Sequence, residues 1–210
     1  TKLEPIKALL FANSVLIGEN EDLLCCRDRF WENSTHGINP HNIGMYETEL
    51  KDVEELQAYM ESTSIYCVER GEKYINFPPI PVLQYFLRDT VVGEYYADGE
   101  YRTIDVHPEE GDLKYLRTFK FEDLTYRGTI EYRSSCCQPI RDCMTVAALH
   151  LGLQNELHAL TKLLKEDHIL YGHGYTAGEL RKLFNQRSFP HFLDREAVYH
   201  LAKEVLDLAH

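Results

Sequence analysis

Gly128-Thr129-Ile130-Glu131-Tyr132-Arg133-Ser134 alternates at a period of two, and beyond Pro139 the period lengthens to 3.6 and stays there. The first pattern is that of a strand with two unlike faces, the second that of helices with one apolar stripe. Working back, residues 116–124 alternate in the same way and pair naturally with 128–134 as a hairpin. Further back, strands at 64–68 and 73–76 flank Arg70-Gly71-Glu72, where the glycine supplies the positive φ of a tight turn. Earlier still, helices are expected over about 4–17 and 50–62, with a long loop over 33–46 between them. A short helix at 82–88 follows Pro78, Pro79 and Pro81. Working forward, helices are expected at about 141–152, 154–166, 176–186 and 194–209. Thr176-Ala177-Gly178-Glu179 is a capping box, and Asp194 is an N-cap. Antiparallel hairpins followed by segregated helices predict an α+β fold. One domain is expected over 1–210, mixed sheet and helix through 138 and helical from 139.

Composition narrows the function classes. The chain has 210 residues, 44% hydrophobic and 27% charged, with a formal net charge of −12. That charge repels phosphate backbones, so nucleic acid is not an expected partner. No apolar run approaches the ~20 residues a membrane helix needs, and no signal-peptide pattern is present. Six cysteines include the adjacent pairs Cys25–Cys26 and Cys136–Cys137. This is not the spacing of a secreted disulfide scaffold or of a zinc knuckle, so reduced thiols, no zinc and a cytoplasmic location are expected. The chain starts at Thr1, without Met, and enters a helical pattern almost at once. A cleaved or cut chain is the expectation from that start.

Two constellations carry chemistry. On the 128–134 strand Glu131 and Arg133 share a face with Thr129, while Ile130 and Tyr132 are expected on the apolar side. Carboxylate oxygen suits Mg²⁺, and guanidinium matches phosphate oxygens bidentately. A solvated same-strand ion pair produces the same pattern, so both readings stand. Near the N-terminus Asn13-Ser14 precedes Arg27, Arg29 and Trp31. Two arginines beside an indole can hold a carboxylate, or can snorkel from an amphipathic helix. Tyr171-Gly172-His173-Gly174-Tyr175 reads as a turn between helices, not as a phosphate-binding fingerprint.

Several of these segments, in this order, resemble the second half of the glutamate–cysteine ligase family, carboxylate–amine ligases related to glutamine synthetase. Ala8-Leu9-Leu10-Phe11-Ala12-Asn13-Ser14 is similar to the family's helix ending in Ala-Asn-Ser, and Arg27-Asp28-Arg29-Phe30-Trp31 to its Arg-x-x-apolar-Trp segment. The run from Ile65 to Ile75 resembles its next strand–turn–strand, and Thr129-Ile130-Glu131-Tyr132-Arg133-Ser134 its Glu-x-Arg active-site strand. The resemblance covers residues 8 to about 152. The chain departs from the family where Cys136 stands for a frequent Asp and Gln138-Pro139 for Asn-Pro.

The resemblance implies part of a glutamine-synthetase-like catalytic sheet and the first step of glutathione synthesis. ATP phosphorylates the γ-carboxylate of glutamate, and the amine of cysteine attacks the acyl phosphate, with Mg²⁺ screening phosphate charge. Carried over, Glu131 is a metal ligand, and Arg133 is the catalytic, ATP-binding phosphate contact. Arg27 holds the substrate α-carboxylate, with Trp31, Asn13 and Ser14 lining that pocket. It further implies that the remaining metal carboxylates lie in an N-terminal half of the same polypeptide, without which this part is inactive. Two rivals are a sister ligase with another amine acceptor and a non-catalytic helical interaction module.

Overall fold

The computed structural model describes residues 1–11, 27–46, 48–125 and 128–210. In chain order its elements begin with helices Glu4–Leu10 (α1) and Arg27–Glu32 (α2), strand Ile43–Gly44 (β1) and helix Val53–Ser62 (α3). Strands Ser64–Arg70 (β2) and Lys73–Pro81 (β3), helix Val82–Phe86 (α4) and strands Val91–Ala97 (β4) and Glu100–Val106 (β5) follow. Short strands Phe119–Lys120 (β6), Glu122–Leu124 (β7) and Ile130–Tyr132 (β8) precede helices Met144–Asn155 (α5), Leu157–Glu166 (α6), Ala177–Phe184 (α7) and Arg195–Ala209 (α8). The fold is α+β, with an antiparallel four-stranded sheet and a helical C-terminal third. No helix among the described residues is long and apolar enough to cross a membrane.

By packing, the chain forms two compact units, Thr1–Phe30 with Thr129–His210, and Trp31–Gly128. Among the described residues, α1 and the start of α2 therefore group with the C-terminal helices.

Within Trp31–Gly128 the strands run in the order β2-β3-β4-β5, each antiparallel to its neighbour. Gly71 turns β2 into β3 with φ +63°, as its place in the sequence predicts. Asp98 and Gly99, both at positive φ, form the two-residue turn between Ala97 and Glu100. Those paired positive angles match the right-handed twist of the flanking strands. One face of the sheet buries Ile75, Phe77, Val91 and Val106 with Ile65, Val68 and Tyr85. The other presents Tyr74, Tyr96 and Tyr101 to solvent. Arg70 and Asp112 form two parallel hydrogen bonds of 2.6 and 2.7 Å, and the Tyr85 hydroxyl donates to the same carboxylate at 2.7 Å. These bonds tie the end of β2 to the 3₁₀ turn Glu110–Tyr115.

One element here was not expected from the sequence, and one expectation needs correction. The β4–β5 hairpin lies in a stretch to which no element had been assigned. The expected strand over 116–124 is instead the two short strands β6 and β7, and β6 pairs with β1 in parallel.

In the other unit α1 packs on α7, and α5 packs on α8. Ile6, Leu149, Leu153, Leu160, Leu180, Leu201 and Val205 form the centre of its core. The helix starts follow local chemistry. Thr176 and Glu179 close the capping box reciprocally, and Asp194 accepts from the backbone N–H groups of Glu196 and Ala197. Gly152 lets α5 pass close to the end of α8. A Cβ there would lie 1.9 Å from the carbonyl oxygen of Ala209.

Candidate functional site

The site is built from four short pieces of the unit Thr1–Phe30 with Thr129–His210. Strand β8 carries Glu131, and Arg133 follows directly; their side chains are ion-paired. Glu131 is about half exposed at 49%, whereas Arg133 is 19% exposed. The expected apolar side is not buried, because Ile130 is 61% exposed and Tyr132 43%. This three-residue strand stands outside the four-stranded sheet and all three of its residues are exposed, so the alternation does not sort inside from outside here. The Tyr132 ring lies 4.3 Å from that of His150, with the ammonium of Lys7 5.5 Å from its centroid.

Arg27, the first residue of α2, approaches the same segment. Its Nε and Nη2 donate to the backbone carbonyl of Arg133 at 3.1 and 2.6 Å. The sequence-predicted trio Arg27, Glu131 and Arg133 is thereby gathered in one place, with the guanidinium of Arg27 oriented by a backbone atom. Trp31 belongs to the unit Trp31–Gly128, where it stacks on Phe119 at 4.5 Å and lies 5.4 Å from the ring of His36. Burial holds the imidazole of His36 below its ordinary pKa. Asn13 and Ser14 lie outside the described residues.

Beneath the trio runs a buried ionic network that the sequence reading did not single out. Arg181, 2% exposed, is its hub. Its Nε and Nη2 make a two-pronged contact with Asp28 at 2.7 and 3.1 Å. Nη1 donates to the carboxylate and carbonyl of Glu4 at 3.0 and 3.1 Å, and Nη2 also donates to the carbonyl of Ser134 at 2.9 Å. Glu4 is fully buried and accepts from Lys7 Nζ at 2.6 Å and from Ser134 Oγ at 3.2 Å. Asn185 Nδ2 completes the shell of Asp28 at 2.9 Å. Two carboxylates thus face one guanidinium and one ammonium, and a buried charge needs such compensation. The signal that could have found the hub is positional. Ala177, Leu180, Arg181 and Phe184 form the buried stripe of α7, and an arginine in such a stripe must have anionic partners nearby.

His150 borders this network. Its Nδ1 is 2.7 Å from the carbonyl of Val146, which assigns the proton to Nδ1 because a carbonyl only accepts. Burial depresses its pKa, and the charge of Lys7 adds to that, against opposing effects of the Val146 carbonyl and Glu4.

For the metal that the resemblance implies, the fit is poor. Mg²⁺ takes a near-octahedral shell of oxygens. Glu131 offers one carboxylate, already paired with Arg133. Among the described residues no group of three or more His, Cys, Asp or Glu side chains is placed to hold a metal ion. These residues do not make a Mg²⁺ centre by themselves. What they can do is present guanidinium groups to an anionic ligand, and the partly exposed Glu131 carboxylate to a cationic group.

No protein-family model, no curated protein and no solved structure matches the chain.

Proposed function

We propose that this chain is the C-terminal part of an ATP-dependent glutamate–cysteine ligase and carries contacts to glutamate and to the transferred phosphate. The observation that carries the reading is the seating of Arg27 on the backbone of Arg133, beside the Glu131–Arg133 pair. It puts two guanidinium-bearing residues from distant parts of the sequence together, which suits recognition of a carboxylate and a phosphate, with the Glu131 carboxylate beside them.

In this reading an oxygen of the glutamate γ-carboxylate attacks the terminal phosphorus of ATP, and ADP leaves. The amine of cysteine then adds to the acyl carbon, loses a proton, and expels inorganic phosphate with the electron pair of the C–O bond. Arg27 pairs with the α-carboxylate and so fixes which end of glutamate faces ATP. Arg133 pairs with phosphate oxygens, where charge builds up during transfer. ATP and Mg²⁺ are the cofactors called for, with the carboxylates that complete the metal site supplied from outside the described residues.

The test uses the full-length protein with ATP and glutamate labelled with ¹⁸O in the γ-carboxylate. A panel of amines led by cysteine serves as acceptors. A γ-glutamyl product with label passing into inorganic phosphate is the expected result, and the preferred amine names the acceptor. Absence of product and of label transfer with every amine refutes the reading.

A further inference from the structure

We infer that Arg181 is a positioning residue that holds the two anion-binding segments in register, so that Arg27 and Arg133 address one substrate. This rests on the reading of Arg27 and Arg133 as substrate and phosphate contacts. The geometry behind it stands apart from that reading.

Two consecutive carbonyls after β8 are each taken by a guanidinium. Arg133 O accepts from Arg27, and Ser134 O accepts from Arg181. The same Arg181 grips Asp28, the residue after Arg27, through two hydrogen bonds. One side chain on α7 therefore reaches both neighbours of the candidate contacts, Asp28 beside Arg27 and Ser134 beside Arg133. A third bond set to Glu4 anchors the guanidinium to α1. Because Arg181 is almost entirely buried, it is out of reach of a ligand and acts only through what it holds. The planar fork of a guanidinium suits this role, since its five donors leave in fixed directions. A lysine ammonium at the same place keeps the charge but cannot satisfy Asp28, Glu4 and Ser134 together. Asn185, on the same helix end, supports Asp28 from a second direction.

The expected consequence is specific. Loosening the tie lets Arg27 drift relative to Arg133, and displacements near 1 Å cost roughly a hundredfold in reactions that depend on orientation. Stability alone does not distinguish a positioning role from an ordinary buried ion pair, because both predict a less stable variant.

The experiment compares Arg181→Lys and Asp28→Asn in the full-length protein by amide hydrogen exchange and by steady-state kinetics. Asp28→Asn removes the charge and one of the two acceptors of the tie to α2 and leaves Arg181 with Glu4 and Ser134, so it serves should Arg181→Lys fail to fold. Arg181→Lys is expected to speed exchange at Arg27–Glu32 and at 130–134 together, and Asp28→Asn chiefly at Arg27–Glu32. Both variants are expected to raise the KM for glutamate roughly ten- to a hundredfold; Asp28→Asn should change the KM for ATP much less, whereas Arg181→Lys should raise it as well. In an Arg27→Ala background neither should raise the glutamate KM further. Unchanged exchange in both segments, or an undiminished KM effect without Arg27, overturns the inference. A wild-type protein that forms no γ-glutamyl product refutes the ligase reading instead, and the exchange result then decides alone whether Arg181 joins the two segments.

Discussion

Glu4→Gln is the sharpest test of the ionic network, because it removes one charge and almost no volume. Glu4 is fully buried and accepts from Lys7 at 2.6 Å, Arg181 at 3.0 Å and Ser134 at 3.2 Å. Lys7 and Arg181 are themselves only 1% and 2% exposed. Breaking a buried pair on one side costs about 3–5 kcal/mol, because the remaining charge stays desolvated. Arg181 keeps Asp28 and the Ser134 carbonyl, and the new amide oxygen still accepts one bond. The expected loss therefore sits near the lower end, about 3 kcal/mol. With a urea m-value of about 1–3 kcal/mol/M, the midpoint falls by roughly 1–3 M. Urea titration followed by circular dichroism at 222 nm reads it, since this unit holds most of the long helices. The companion variant Glu4→Gln/Lys7→Met removes the stranded ammonium and is expected to recover part of the loss. A change below about 0.5 kcal/mol, the scale of an ordinary surface substitution, refutes the view that these charges depend on one another.

Other outcomes follow from particular packing. Gly152→Ala forces a methyl against the backbone of Ala209, so a loss of about 1–3 kcal/mol is expected from overpacking, with the C-terminal turn of α8 exchanging its amides faster; an unchanged melting curve contradicts it. Asp112 sits below the usual carboxylate range: burial pushes it up, but the hydrogen bonds from Arg70, the Glu109 N–H and Tyr85 more than offset that. A depressed folded pKa gives stability that is present above the unfolded value near ~3.9 and is lost as pH falls through the folded one. Asp112→Asn should therefore flatten the acid limb of the stability profile below about pH 4, and an acid limb as steep as the wild type's removes Asp112 from that role. His150 is held below its ordinary pKa by burial, so it contributes stability that is full above about pH 6.5 and declines as pH falls. His150→Gln should reduce the slope of stability with pH below about 6.5, and an unaltered slope assigns the proton uptake elsewhere.

What could be read in advance was what depends on near neighbours. The capping box at Thr176 and Glu179, the cap at Asp194 and the turn at Gly71 are decided within four residues, and the structure has all three. The hairpin β4–β5 had a local signal too, Asp98-Gly99 between alternating runs, but its apolar face is weak. Gly93 occupies an inward position of β4, where a Cβ would meet Ile75 Cγ2 at 2.5 Å, so a core position carries no hydrophobic side chain. The face of Glu131 was less legible still. Period two marks two faces, but not which is covered, and β8 leaves both exposed. The partners of Arg181 lie 153 residues away at Asp28 and 177 away at Glu4. No spacing rule reaches that far, so only the oddity of an arginine in an apolar stripe could have hinted at the hub.

Whether Arg27 holds the α-carboxylate of glutamate is decided by steady-state kinetics on the full-length Arg27→Ala variant. Removing a charge-assisted partner from a partly desolvated anion costs about 2–5 kcal/mol, or tens- to thousands-fold in binding. A rise of that size in the KM for glutamate is expected, with the KM for ATP changed far less, because in this reading the nucleotide's phosphates are met on the Arg133 side. An unchanged glutamate KM, or an equal rise for both substrates, contradicts the claim and leaves Arg27 as a structural donor to the Arg133 carbonyl.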